Sequence, residues 1–328
     1  MPLPHRDNVS IHRSNAAFGD LEFPEGLADL HVYRYGLGLE VRGSRGRKHV
    51  KTIGLLGGMS WESTASYYQT INRVVGERLG GLHSAKVLLY SVDFHDVNQL
   101  QHAGRWVESG ELLSDAARTL QSAGSEFLVL CTNTMHRVAP QVEASVSIPL
   151  LHIAYAPAES ISSAGLTRVG LLGTRFTMEQ EFYRGRLEER HGLKVIVPPE
   201  PDRESVHHII FEALCRGQIL EASRSEYRRV VSGLVARGCE GVVLGCTEIG
   251  LLLRPSDAPV PLFDTAEIHA ERAAFYALGE DAATYQTHCS WHFQGSHSFA
   301  IATPPNTKQP APIDPGSSLA ASRPPPAL

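Results

Sequence analysis

One cysteine of the sequence stands in a setting that favours reactivity. Cys246 follows the apolar run GVVLG and precedes Thr247 and Glu248. This pattern predicts a buried strand that leads through a tight turn to the start of a helix. The helix dipole and free backbone N–H groups favour a thiolate there, so we expect the pKa of Cys246 to lie below its usual value of about 8.5. The same N–H groups suit a substrate carboxylate, which would place a sulfur base beside the α-carbon of an acid.

A second segment of this kind lies 114 residues earlier, where Thr132 takes the place of Cys246. Taken alone, a threonine followed by Asn133 and Thr134 is more typical of a cap or turn. Its match to Cys246 indicates instead an acid–base partner on a second, facing strand end. A hydroxyl is a much weaker acid than a thiol, so Thr132 would protonate a carbanion only in a preorganised environment or through a bound water.

Two other pairs of segments repeat at nearly the same spacing. The run IGLLG at 53–57 matches VGLLG at 169–173, 116 residues apart, and PLLH at 149–152 matches PLFD at 261–264, 112 residues apart. Three matched pairs in one order indicate two similar halves. Cys131 aligns with Gly245 in this repeat, not with Cys246, so we predict a structural role for it.

Short apolar runs alternate with amphipathic segments between residues 51 and 279, which is typical of βα units. The pattern predicts an α/β fold of two similar parallel-sheet domains related by pseudo-twofold symmetry, with the active site in the cleft between them. The expected strands are Thr52–Leu56, Lys86–Ser91, Phe127–Leu130, Pro149–Ile153, Arg168–Leu172, Lys194–Val197, Gly241–Leu244 and Pro261–Phe263. The expected helices are Glu62–Arg78, Glu111–Ala123, Met135–Ala144, Glu179–Arg190, Ser205–Cys215, Ser223–Ala236 and Ala266–Leu278.

The predicted domain ranges follow from the same pattern. Residues 51–150 together with 265–279 form the first domain, and residues 151–264 form the second. Residues 1–50 are polar and lack periodicity, and residues 280–328 are rich in proline, serine and alanine. Such compositions bury too little apolar surface to offset their ordering entropy, so both extensions are predicted to be disordered.

Composition limits the kinds of molecule that the protein is expected to bind. The chain has 328 residues, a formal charge of −5 and 42% hydrophobic residues, with no long basic run and no apolar stretch of membrane-spanning length. These features argue against a nucleic-acid or membrane partner and favour a small molecule. Five cysteines without a disulfide pattern predict free thiols in the cytoplasm. Sixteen histidines occur without HExxH or a paired CxxC motif, so no metal site is predicted. Lone histidines such as His136 and His152 are more typical of hydrogen-bonded structural residues than of general bases.

Several motifs resemble those of the aspartate/glutamate racemase family, in particular its broad-specificity amino-acid racemase branch. They are GLLGGMSWEST, SVDF at 91–94, LCTNTMH at 130–136, GTRFTMEQEFYRGRL at 173–187 and GCTEIGLL at 245–252. The resemblance covers residues 51–279. It implies an enzyme that uses no cofactor and no metal, in which two opposed acid–base residues act on the two faces of Cα.

Carried onto this sequence, the resemblance makes Thr132 and Cys246 the opposed catalytic pair. It implies that Asn133, Thr134, Thr247 and Glu248 hold the ammonium and carboxylate groups of the substrate. It further implies that Met59 and Gln101 line the pocket. A homodimer is usual in the family and is expected here.

Departures from the family pattern bear on the substrate. Gln101 and Cys215 stand at positions that we match to the basic residues of strict aspartate racemases. We therefore expect a racemase for glutamate, aspartate or a related polar amino acid such as homoserine. Three alternatives stay open at this point: a hydantoin, maleate or malonate isomerase or decarboxylase of related fold, a catalytically silent amino-acid binding protein, and a Cys–His hydrolase that uses Cys246.

Overall fold

The computed structural model describes residues 49–280, which divide into two compact units. The first unit comprises residues 49–131, 138–151 and 273–280, and the second comprises residues 132–137 and 152–272. The predicted disordered extensions lie outside the described residues, except for residues 49, 50 and 280. The predicted domain ranges stay a prediction; the units place residues 132–137 with the second half of the chain and only the end of the last helix with the first half.

The first unit is built on a parallel sheet of four strands in the order β2-β1-β3-β4. Its strands are β1 (Ile53–Gly57), β2 (Val87–Ser91), β3 (Phe127–Leu130) and β4 (Leu150–Leu151). Its helices are α1 (Trp61–Leu79), α2 (Phe94–His102), α3 (Trp106–Ser122) and α4 (Ala139–Ala144). The central strands β1 and β3 are buried along their whole length, as expected of parallel strands covered on both faces.

The second unit repeats this topology with a parallel sheet in the order β6-β5-β7-β8. Its strands are β5 (Arg168–Gly173), β6 (Lys194–Ile196), β7 (Gly241–Gly245) and β8 (Leu262–Asp264). The helices are α5 (Tyr155–Ser163), α6 (Arg175–Glu179), α7 (Glu181–His191), α8 (Glu200–Glu212), α9 (Glu221–Ala236), α10 (Ile249–Leu252) and α11 (Thr265–Ala277), the last of which ends in the first unit. Short 3-10 turns cover Thr134–Val138, Leu214–Arg216 and Pro255–Asp257.

The pairing registers of the two sheets confirm the repeat. Ile53 of β1 pairs with Phe127 of β3, and Val169 of β5 pairs with Gly241 of β7. These two pairs are separated by the same 116 and 114 residues as the matched segments of the sequence. The prediction of two similar parallel α/β sheets is therefore confirmed, whereas the pseudo-twofold relation and the cleft stay predictions.

All eight expected strands are present, with ends shifted by at most two residues. The helix predictions were less complete. The helix expected over Met135–Ala144 is a 3-10 turn followed by the six-residue α4, and the helix start expected after Cys246 is the four-residue α10. Helices α2, α5 and α6 were not predicted. They are short, and α2 depends on a local cap, because the side chain of Asp93 accepts a hydrogen bond from the backbone N–H of His95. No helix among residues 49–280 is both long enough and apolar enough to cross a membrane.

Close approach of two strands explains one glycine of the repeat. A Cβ atom on Gly173 would lie 2.7 Å from the backbone oxygen of Gly245, so the ends of β5 and β7 would have to separate to accept it. Gly233 in α9, by contrast, has no atom within 4 Å of the position that its Cβ would take. The two glycines therefore form a matched pair of substitution sites.

We expect Gly173→Ala to lower the free energy of unfolding by about 1–3 kcal/mol, the usual range for overpacking. Gly233→Ala should raise it by up to about 1 kcal/mol, because alanine is the better helix former. Urea denaturation followed by circular dichroism measures both. A Gly173→Ala protein as stable as the wild type would show that the strand ends are free to move apart.

Candidate active site

The two predicted catalytic residues occupy equivalent places in the repeat. Thr132 lies five residues after Phe127, and Cys246 lies five residues after Gly241, the residue of β7 that matches Phe127 in the ladder. Both follow the carboxyl end of a central strand, and both are buried, with 6% and 7% of their surface exposed. Both belong to the second unit, although β3 itself belongs to the first.

Cys246 is held by the acidic residue two positions later. Its Sγ donates a hydrogen bond to Glu248 Oε2 at 2.9 Å, and the Thr247 hydroxyl donates to both carboxylate oxygens at 3.1 Å. Glu248 is only 2% exposed. Its carboxylate is therefore directed at the thiol and the neighbouring hydroxyl.

The prediction of a lowered thiol pKa was wrong. Burial raises the pKa of Cys246 well above its usual value, and the negative charge of Glu248, the nearby thiol of Cys215 and the hydrogen bond to Glu248 raise it further. The backbone N–H of Glu248 acts in the opposite direction but is outweighed. Helix α10, which follows, has only four residues, so its dipole is too short to reverse the effect of burial.

Asn133 ties the Thr132 loop to the strand that carries Cys246. Its Nδ2 donates to Thr265 Oγ1 at 2.9 Å, and this hydroxyl donates in turn to the carbonyl of Leu244 at 2.7 Å. Because the single proton of Thr265 is used on Leu244, the group of Asn133 that faces it must be the amide nitrogen. The Oδ1 atom of Asn133 is buried and has no hydrogen-bond partner among residues 49–280. Its capacity to accept a hydrogen bond is therefore unused within this part of the chain.

Thr134 joins a buried group of three hydroxyls. Its Oγ1 lies 3.0 Å from Thr174 Oγ1 and 3.5 Å from Thr177 Oγ1, and the latter two are 3.2 Å apart. Thr174 is the N-cap of α6 and Thr177 lies within that helix; neither was a predicted site residue. The structure adds their side chains to the surroundings of the predicted site.

The other predicted residues are placed less fully. Met59 and Gln101 are buried in the first unit, each 3% exposed, and their role in the pocket stays a prediction. Cys131 is completely buried, its thiol donates to the carbonyl of Val129, and burial raises its pKa. These properties support a structural role for Cys131.

Within the described part of the chain, no group of three or more histidine, cysteine, aspartate or glutamate side chains is arranged to hold a metal ion.

Asp264 is a site neighbour that sequence reasoning did not single out. Burial, followed by the charge of Glu267 and a smaller effect of Glu248, raises the pKa of its carboxyl group to about 7. Its Oδ1 accepts the backbone N–H groups of Ala266 and Glu267 at the start of α11. A Cβ atom on Gly250 would lie 1.7 Å from its Oδ2, so only glycine leaves room for this carboxyl. The match of PLFD to PLLH in the repeat was the sequence feature that could have pointed to Asp264.

These features describe an α/β protein with repeated parallel sheets and a buried threonine and cysteine, Thr132 and Cys246, at equivalent strand ends. The model of the Asp/Glu/Hydantoin racemase family matches residues 56–273. The chain belongs to this family, as its motifs predicted. Racemases are isomerases, so the predicted enzyme class is confirmed at the level of the family.

Individual relatives support this assignment. A crystal structure described as a candidate Asp/Glu racemase from Yersinia pestis is 58% identical, with a TM-score of 0.65 over 70% of this chain and 99% of that one. An aspartate racemase homologue from Pyrococcus horikoshii OT3 is 35% identical, with a TM-score of 0.60 over 69% of this chain and 99% of that one. The broad-specificity amino-acid racemase RacX of Bacillus subtilis (strain 168) is 20% identical over 219 residues, which are 65% of this chain and 92% of RacX.

The raised pKa of Cys246 predicts slow alkylation of the native protein near neutral pH, because the thiolate is the reactive form. Glu248→Gln removes the negative charge beside the sulfur, so the pH midpoint of the reaction should move down. Iodoacetamide labelling at several pH values, read for each cysteine by mass spectrometry, measures this. Cys239 serves as the internal control and should react alike in both proteins. An unchanged or raised midpoint for Cys246 would contradict the assigned cause.

Asp264 predicts a pH dependence of stability. Its folded pKa of about 7 exceeds the value of about 3.9 in an unfolded chain, so the folded state retains a proton that the unfolded state loses. The free energy of unfolding should therefore fall as the pH rises from about 4 to 7, by about 2.6 kcal/mol between pH 5 and 8. Asp264→Asn keeps the helix cap and should remove this contribution. Urea titrations at pH 5 and 8 with equal differences for both proteins would refute it.

Proposed function

We propose that the protein is a cofactor-independent amino-acid racemase that interconverts the L and D enantiomers of glutamate, aspartate or a related polar amino acid such as homoserine. The observation that carries the proposal is the equivalence of Thr132 and Cys246 in the two strand ladders. Both residues can exchange a proton, and their side chains are buried in one unit. Racemisation needs two such groups, one for each face of Cα.

The contacts of Cys246 suggest how the base is generated. The thiol rests in its protonated form, since its pKa is raised, and it donates to Glu248 Oε2 at 2.9 Å. Transfer of this proton to Glu248 would leave a thiolate that removes the Cα proton from one enantiomer. The electron pair of the broken C–H bond moves into the substrate carboxylate as an enolate. Thr132, directly or through a water, then supplies a proton to the opposite face. The reverse reaction exchanges the two roles.

Asn133 supplies a feature that fits the ammonium group of an amino acid. Its buried Oδ1 lacks a partner among the described residues, and the bond of its Nδ2 to Thr265 fixes the amide orientation. An ammonium group donates three hydrogen bonds and would satisfy this acceptor. The hydroxyl group cluster of Thr134, Thr174 and Thr177 offers donors for the carboxylate. Thr247 and Glu248, which were expected to hold substrate, are proposed instead to act mainly on Cys246.

Two residues bear on the choice of substrate side chain. Gln101 and Cys215 stand at the positions that we match to basic residues of strict aspartate racemases. Cys215, matched to a lysine of strict aspartate racemases, brings a thiol close enough to affect the pKa of Cys246. A neutral group there favours tolerance of several polar side chains over a tight grip on a second carboxylate. The broad specificity named for RacX agrees with this, at 20% identity. A cytoplasmic homodimer that acts on free amino acids is part of the proposal.

The test uses the full chain without added cofactor, incubated with L-glutamate, L-aspartate and L-homoserine and followed by chiral chromatography. We expect D-isomer from at least one of them. Cys246→Ala should lower the rate by about 10²–10⁴-fold, the usual contribution of an acid–base residue. Cys239→Ala removes a thiol outside the site and should keep the activity.

Two results would contradict the proposal. Absence of any D-isomer with the wild type would remove the racemase assignment for these substrates. Activity retained in Cys246→Ala would remove the two-base mechanism while leaving the reaction itself in place.

A further inference from the structure

We propose that His136 is the positioning residue for Thr132, holding its backbone through a neutral imidazole with the proton on Nδ1. This inference rests on the proposed function, because it assigns His136 to one half of the two-base site. Nothing in the sequence distinguished His136 from a structural histidine. The assignment follows from what its two ring nitrogens contact.

The contacts determine the tautomer. His136 is 1% exposed, and its Nε2 lies 3.2 Å from the backbone nitrogen of Ile153, which is a donor. Nε2 must therefore accept, and it carries no proton. The remaining nitrogen, Nδ1, lies 2.7 Å from the carbonyl oxygen of Thr132 and donates to it. The ring thus links the Thr132 backbone to the chain segment just after β4.

The surroundings keep the ring neutral. Burial lowers the pKa of His136 well below its usual value, and the neighbouring His152, His269 and Arg186 lower it further. The ring packs edge-on against His152 with a centroid distance of 4.4 Å. A proton on Nε2 would face the N–H group of Ile153, so protonation would break the link.

His136 also holds the loop that carries Thr132 through its own backbone. The backbone N–H of His136 donates to the carbonyl of Asn133 at 3.1 Å, within the 3-10 turn Thr134–Val138. Backbone and ring together fix residues 132 and 133 from one side, while Thr265 fixes Asn133 from the other. The Thr132 hydroxyl therefore starts from a backbone with little freedom. A weak acid such as threonine needs this preorganisation more than a thiol does.

The other half of the repeat shows that this device belongs to Thr132 alone. Counted through the ladders, the counterpart of His136 is Gly250, and the counterpart of His152 is Asp264. The Asp264 carboxyl group occupies the space that a Gly250 side chain would need. Cys246 is instead held through its side chain by Glu248. The two halves thus position their acid–base residues by different means.

The test compares two amide substitutions that separate the functions of the ring. His136→Asn keeps a donor near the Nδ1 position and can still bind the Thr132 carbonyl. His136→Gln extends to the Nε2 position, keeps an acceptor for Ile153 and loses the donor. We expect kcat for racemisation to fall about 10²-fold in His136→Gln with little change in KM, and about 10-fold or less in His136→Asn. Equal loss in the two folded variants would indicate a merely structural role and overturn the proposal.

A primary isotope effect tells which base is affected. In His136→Gln the proton transfer at Thr132 becomes slower. The primary isotope effect on kcat/KM should therefore rise for the enantiomer whose Cα deuterium faces Thr132. It should fall for the other enantiomer, since its C–H cleavage by Cys246 limits the rate less. Changes of the same sign in both enantiomers would overturn the assignment to Thr132.

A third measurement does not depend on activity. Nitrogen-15 NMR of the wild-type chain labelled at histidine should show a neutral ring with the proton on Nδ1. Its pKa should lie below that of an exposed histidine. The signal of this ring should be lost in His136→Asn. A His136 ring with the proton on Nε2 would overturn the proposal even in an active racemase. If no amino acid is racemised but this tautomer is found, the proposed function fails and the contact stands.

Discussion

The hydrogen bond from Asn133 to Thr265 is the contact on which the arrangement of the site depends. It joins the loop that leaves β3 to the first residue of α11, and Thr265 passes the connection to β7 through the carbonyl of Leu244. A loop that begins after a strand of the first unit is thereby built into the second, where Cys246 lies. Thr132 and Cys246 therefore belong to the same unit, and the relative placement that the proposed proton transfer requires would be set within it.

The environment of Cys246 has a consequence for catalysis. A thiol that is buried beside a carboxylate resists ionisation, which protects it from adventitious alkylation but would slow the proposed proton abstraction. This contact with a carboxylate rather than an imidazole also disfavours the Cys–His hydrolase considered from the sequence.

The sequence was sufficient for the sheet architecture because buried parallel strands leave continuous apolar runs, and because the repeat doubled each weak signal. The match of Thr132 to Cys246 needed nothing more than counting, and the ladder registers agree with it. The pKa of Cys246 was missed because it depends on burial and on the direction of the Glu248 side chain, which spacing does not encode. The role of Thr265 was missed because its partners Asn133 and Leu244 lie 132 and 21 residues away in sequence. The raised pKa of Asp264 was missed because it depends mainly on burial.

The matched positions in the two halves of the repeat carry different residues, Thr132 and Cys246, and their surroundings differ in kind. A thiol is acidic enough to be adjusted by one neighbouring charge, and Cys246 has such a neighbour in Glu248. A hydroxyl gains little from a single charge, so its usefulness depends on exact placement of the oxygen and of any water bound to it. The imidazole of His136 on the Thr132 carbonyl meets that need through the backbone. Where the matched position is Gly250, the space is filled by Asp264, whose carboxyl group is close enough to Glu248 for that charge to contribute to its raised pKa. In the proposed mechanism, Thr132 therefore depends on the placement of its backbone, whereas Cys246 depends on the charge of Glu248.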